Sequence, residues 1–163
     1  MPAQARSKRP SDQKDGLHHL DFYIGRVYYN FIGLLERRLE ATGLSEYIVP
    51  GMGSILFALF ENDDCIIRDL AIRVRHSPST LTGMLNRMKR SGLIEQHRDS
   101  QDGRAARITL TPLGRSLEPR CRALLRELES ILAGGMSRQE AETFKDLLSR
   151  ADGNIHRAAS SLE

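Results

Sequence analysis

The stretch "RDSQDGRAAR" at 98–107 crowds Arg98, Asp102, Arg104 and Arg107 around one glycine-bearing loop. Cations at that spacing suit an anion gripped at several points. An arginine beside a tip glycine can enter a narrow DNA minor groove, where the negative potential is strongest. Asp102, two residues before Arg104, can hold that guanidinium extended through a charge-assisted hydrogen bond, with Arg98 and Arg107 flanking it. A solvated hairpin laced with ion pairs worth about 0–1 kcal/mol each would use the same residues. The choice rests on what precedes the loop.

What precedes it is "HSPSTLTGMLNRMKRSG" at 76–92. Ser77 is a good N-cap and Pro78 a good first helical residue, so a helix starts here after a tight turn. Leu81, Leu85 and Met88 supply its buried stripe, and Gly92 stops it. The other face carries Ser79, Thr80, Thr82, Gly83 and Asn86. Hydroxyls and an amide, with Ser77 at the helix start, suit mixed contacts to base edges and phosphates in a major groove. Arg87, Lys89 and Arg90 lie further along, placed for the backbone. The first two turns hold no arginine, so a bidentate arginine–guanine contact from this helix is not obvious, and weak or indirect base reading is the expectation.

Charge follows the same division. Residues 66–111 hold nine Lys/Arg against four Asp/Glu, while residues 17–65 hold three against seven. A basic middle in a chain of net charge +3 suggests a polyanionic partner there, though uneven surface decoration would look the same.

The elements that must position these residues are mostly helical. Leu17, Leu20, Ile24, Val27, Phe31 and Leu34 form a seam of alternating three- and four-residue gaps, and Gly43 closes that helix. A shorter helix follows Pro50, with Ile55, Leu56, Leu59 and Phe60 on one face. Cys65–Ile67 reads as a short strand, and "IRDLAIRVRH" as the first helix of a helix-turn-helix. "LIEQHR" and "RAARITL" read as two strands around the loop, a hairpin placed where a wing would be. Thr111–Pro112 repeats the cap pairing and launches a long helix seamed by Leu113, Leu117, Cys121, Leu124, Leu128 and Ile131. Pro119 should bend that helix or displace its start. "SRQE" at 137–140 is a capping box for a last helix, expected to continue through "DGN" at 152–154.

The stretch 77–114, "SPSTLTGMLNRMKRSGLIEQHRDSQDGRAARITLTPLG", resembles the MarR family of bacterial winged-helix transcription factors, with Asp102 and Arg104 at its Asp-x-Arg wing motif. The resemblance runs from about residue 17 to the C-terminus. It implies a mainly α fold with a small β-wing, a winged helix-turn-helix flanked by N- and C-terminal dimerisation helices. The expected division is a basic tail at 1–16, an N-terminal dimerisation helix at 17–48, the winged helix-turn-helix at 49–111 and C-terminal dimerisation helices at 112–163. It further implies a homodimer on double-stranded DNA with a pseudo-palindromic operator, half-sites about 10 bp apart. Many members respond to small aromatic or phenolic effectors. His19, Tyr23 and Arg26 could line such a site, although a histidine pair at a helix start is more simply read as exposed.

The remaining chemistry is sparse. Cys65 follows two aspartates and Cys121 sits on an apolar seam, so neither is expected to be a reactive thiolate, and neither lies near the first helix, where one branch of the family carries its sensor. The five histidines are scattered without metal-ligand spacing, and no cofactor is expected. No nucleophile–base pair or phosphate loop suggests an enzyme. The N-terminus has no apolar core like that of a secretory signal, and no stretch of about 18 apolar residues exists to span a membrane. The reading is a cytoplasmic DNA-binding regulator, a repressor released by ligand. The alternative is a winged-helix protein–protein interaction module without specific DNA binding.

Overall fold

Helix caps and turn glycines punctuate the chain where local chemistry says they should. The computed structural model describes residues 20–161 apart from Gln101 and Arg104. The basic tail, Leu17 and the His18–His19 pair lie outside the described residues, as does Arg104.

The chain divides into two compact units, one ending at Arg115 and one running from Ser116. The first contains α1 (Leu20–Ala41), α2 (Gly53–Glu61), β1 (Cys65–Ile66), α3 (Ile67–Val74), α4 (Pro78–Arg90), β2 (Ile94–Arg98), β3 (Ala106–Leu110) and α5 (Pro112–Ser116). The fold is mainly α with a small antiparallel sheet, as expected. The sheet order is β1-β3-β2. Cys65 sits opposite Ile108 on one side of β3, and Ile94 opposite Leu110 on the other.

The core of this unit is built from Leu44, Met52, Ile55, Leu56, Leu59, Leu70, Met88, Leu93 and Ile108, all essentially fully buried. Each helix contributes the residues its apolar periodicity marks, with Phe60, Ala71 and Val74 only half-buried. α1 behaves differently along its length. Leu39 near its end is buried, while Leu20, Phe22, Tyr23, Ile24, Val27, Tyr28 and Tyr29 are each half exposed or more.

The second unit holds α6 (Glu118–Leu132) and α7 (Arg138–Ser160). The single long helix expected after Thr111–Pro112 is two helices. Pro119 falls in the first turn of α6, where its missing N–H costs nothing, so the helix restarts there instead of bending. Leu117, Cys121, Leu124 and Leu128 are buried, whereas Ile131 is exposed. The capping box at Ser137 forms in both directions with Glu140. α7 then runs unbroken through Gly153, where Asn154 accepts a hydrogen bond from Arg157 at 2.6 Å. None of the described helices is long and apolar enough to cross a membrane.

Candidate nucleic-acid interface

α4 starts where its cap dictates. Ser77 has extended backbone, and its Oγ accepts from the Thr80 amide at 3.2 Å. The same hydroxyl donates to Thr80 Oγ1 at 2.8 Å and lies 3.1 Å from Ser79 Oγ, so three hydroxyls interlock over the first turn. Thr82 Oγ1 donates to the Pro78 carbonyl at 2.7 Å. Leu81, Leu85 and Met88 are buried. The whole predicted reading set, Ser77, Ser79, Thr80, Thr82, Gly83, Asn86 and Arg87, is solvent-exposed. A Cβ added at Gly83 would meet no atom within 4 Å, so the middle of this face is open.

The turn before α4 is made by Arg75, which caps α3 in the left-handed region at φ 52°. His76 Nε2 lies 2.9 Å from Ser54 Oγ, tying the turn back to α2.

The hairpin after α4 pairs Arg98 with Ala106 and His97 with Arg107. Asp99, only 8% exposed, folds its loop: its Oδ1 accepts from the Asp102 amide at 2.7 Å, and its own amide donates to Ala105 O at 3.0 Å. Arg98 and Asp102 are exposed at the rim of the hairpin. The expected Asp102–Arg104 contact lies outside the described residues.

Arg107 takes a different place from the one its charge suggested. Its Nη1 donates to Asp99 Oδ2 at 2.7 Å, its Nε donates to Asp64 Oδ1 at 2.8 Å, and its Nη2 donates to the Asp64 carbonyl. These bonds push the guanidinium pKa further up and hold the Asp64 carboxyl below the usual carboxylate range. Arg107 therefore pins the wing root, its guanidinium held between Asp64 and Asp99.

The residues that receive this pin were not singled out in the sequence. Asp63 Oδ1 accepts from the Asp64 amide at 2.8 Å and from the Leu110 amide at 2.9 Å, while its Oδ2 pairs with Arg115. Asp64 sits at φ 53°, a region that aspartate tolerates better than most residues. The usable signal was two consecutive aspartates between a helix end and a two-residue strand.

Thr111 closes the other end of the wing. Its Oγ1 donates to Gly92 O at 2.6 Å and accepts from the Gly114 amide at 3.0 Å. The end of α4, strand β3 and the start of α5 therefore meet at one side chain.

Tyr23 and Arg26, candidates for an effector, are exposed on the first turns of α1. The Arg26 guanidinium stands 5.4 Å from the Phe22 ring centroid, a cation–π contact. His19 lies outside the described residues. Both cysteines are buried, and burial is the main cause pushing each thiol pKa up. For Cys65, Asp63 adds to that effect while Arg73 opposes it.

The comparisons agree with this geometry. Residues 51–106 match the MarR family model. The chain is similar to the HTH-type transcriptional regulator YwhA of Bacillus subtilis (strain 168), 28% identical over 69% of this chain and 78% of the relative. It is similar to the HTH-type transcriptional repressor IacR of Pseudomonas putida, 25% identical over 78% of this chain and 74% of the relative. A probable transcriptional regulator from Pseudomonas aeruginosa superposes with TM-score 0.73 at 26% identity, covering 88% of this chain and 99% of that one. With its α3–α4 pair and its wing, the stretch 51–106 is a winged helix-turn-helix that matches the MarR family of transcriptional regulators.

Proposed function

We propose that this protein is a homodimeric, sequence-specific repressor acting in the cytoplasm on a pseudo-palindromic operator and released by a small aromatic ligand. α4 lies in the major groove, and the wing, with Arg104 and Arg98, in the adjacent minor groove. The observation that carries this reading is the fully exposed polar face of α4, standing beside a wing whose root is pinned internally by Arg107. A pinned root holds the hairpin in a fixed place beside α4. The repressor IacR is a relative of the same kind. Tyr23 and Arg26 offer a ring and a cation to an aromatic acid.

The test is a binding titration against DNA upstream of the protein's own gene at several salt concentrations. Affinity should fall steeply with salt, because phosphate contacts release counterions. Arg104→Ala should weaken binding about tenfold or more while leaving the oligomeric state unchanged. A protein–protein interaction module predicts no preference for that DNA over unrelated DNA, and this result would sink the repressor.

Gly83→Ala separates stability from reading. A methyl group there meets nothing within the chain, so the helix should gain about 0.5–1 kcal/mol. The same methyl stands in the middle of the groove face, so operator affinity should drop. A melting curve and a binding titration on one variant check both halves.

A further inference from the structure

The exposed face of α4 is less uniformly polar than its sequence. The hydroxyls of Ser77, Ser79 and Thr80 bond among themselves, and Thr82 Oγ1 is spent on the Pro78 carbonyl one turn back. Thr82 is solvent-exposed, so with its hydroxyl proton spent its methyl group is what it has left to offer a partner. One turn on, along the same flank, Asn86 is exposed, and its carboxamide hydrogen-bonds to no described residue. Between them Gly83 leaves the helix surface bare.

These three features have one base pair in common. An asparagine carboxamide matches the adenine N6/N7 edge with one donor and one acceptor, and a methyl group packs on the 5-methyl of thymine. Guanine offers two acceptors on that edge and cytosine lacks the methyl, so neither suits the pair of side chains. A helical turn rises about 5.4 Å, less than two base-pair steps of about 3.4 Å. Both contacts therefore fall within about two steps of each other.

We propose that α4 selects adenine–thymine pairs, Asn86 reading the adenine edge and the Thr82 methyl the thymine methyl, over a close approach opened by Gly83. This rests on the DNA-binding reading above. Gly83 here is the clearance, and Thr82 acts through its methyl, not its hydroxyl.

The experiment starts by enriching full-length protein on a random double-stranded DNA library. The selected duplex is then remade with deoxyuridine in place of each thymine in turn, which removes only the 5-methyl group. Wild type is expected to lose about fourfold in affinity at one thymine per half-site, the worth of one buried methyl group. Thr82→Ser, which keeps the hydroxyl and drops the methyl, should bind the thymine and uracil duplexes equally. Thr82→Val should restore the discrimination. Asn86→Ala should lose about tenfold and relax the preference at a neighbouring adenine.

An enriched sequence that wild type binds equally with thymine or uracil at every position overturns the proposal while sparing the DNA-binding reading. Discrimination that survives in Thr82→Ser also overturns it. Absence of any enriched sequence removes specific DNA binding itself, and this assignment with it.

Discussion

Gly114→Ala is expected to cost about 2–3 kcal/mol, seen as a melting temperature lower by about 5–10 °C. Gly114 is buried in α5, and a Cβ there would fall inside the van der Waals shell of the Leu93 carbonyl oxygen. It would also press on Leu110 Cδ2 at 3.2 Å. The carbonyl cannot step aside, because it already accepts from the Thr111 amide at 3.0 Å and helps anchor the joint. α5 would have to lift away, breaking the 3.0 Å bond from the Gly114 amide to Thr111 Oγ1. The control is Gly53→Ala at the start of α2, where a Cβ meets nothing within 4 Å and no loss is expected. Equal melting temperatures for the two variants would show that α5 does not need this close approach.

The glycine in "TPLG" illustrates where sequence reading reaches and where it stops. Ser77–Pro78 announces α4, and Ser137 with Glu140 announces α7, because the partners lie within one turn and the chemistry is local. The hairpin is legible for the same reason: Ile108 and Leu110 alternate with Arg107 and Thr109, and the first pair is buried. The wing's fastening is not legible. Arg107 finds Asp64 forty-three residues away, and Asp63 reaches the Leu110 amide across forty-seven. A charge in isolation does not say whether it faces a phosphate or a carboxylate, so Arg107 read as one more cation for DNA. Gly114 could not be weighed either, since its neighbour is a backbone oxygen that only the folded joint supplies. The break at Leu117 was half visible. Pro119 allowed a bend or a displaced start, and the second fits the missing N–H into a first turn.

The polar face of α4 was legible as a set of residue types but not as a set of available atoms. Four hydroxyls on one face look like four donors for DNA. The folded helix keeps one of them for its own carbonyl and links three to one another. The amide of Asn86 and the open surface at Gly83 are engaged in none of these bonds.

For the proposed homodimer, Ile24→Glu combined with Val27→Glu should give a monomer and weaken binding to a two-half-site duplex by about 100-fold or more, the loss of a second tethered contact. Seven large apolar side chains between Leu20 and Tyr29 are half exposed or more, a patch of the kind that marks an interface. Covering the exposed part of each is worth about 1 kcal/mol, so seven from each of two copies give about 14 kcal/mol. Association costs about 4–15 kcal/mol, a figure of the same size. A contact with so small a surplus cannot lose four apolar side chains per dimer and accept four carboxylates in their place. Neither residue belongs to the chain's own core, so the melting transition of the separated protomer should remain cooperative. Sedimentation equilibrium reads the oligomeric state, and titrations on one- and two-half-site duplexes read the coupling. A double variant that stays dimeric would move the interface off this face of α1. A monomer that still binds the two-site duplex as tightly as wild type would show that the paired wings are not needed for affinity.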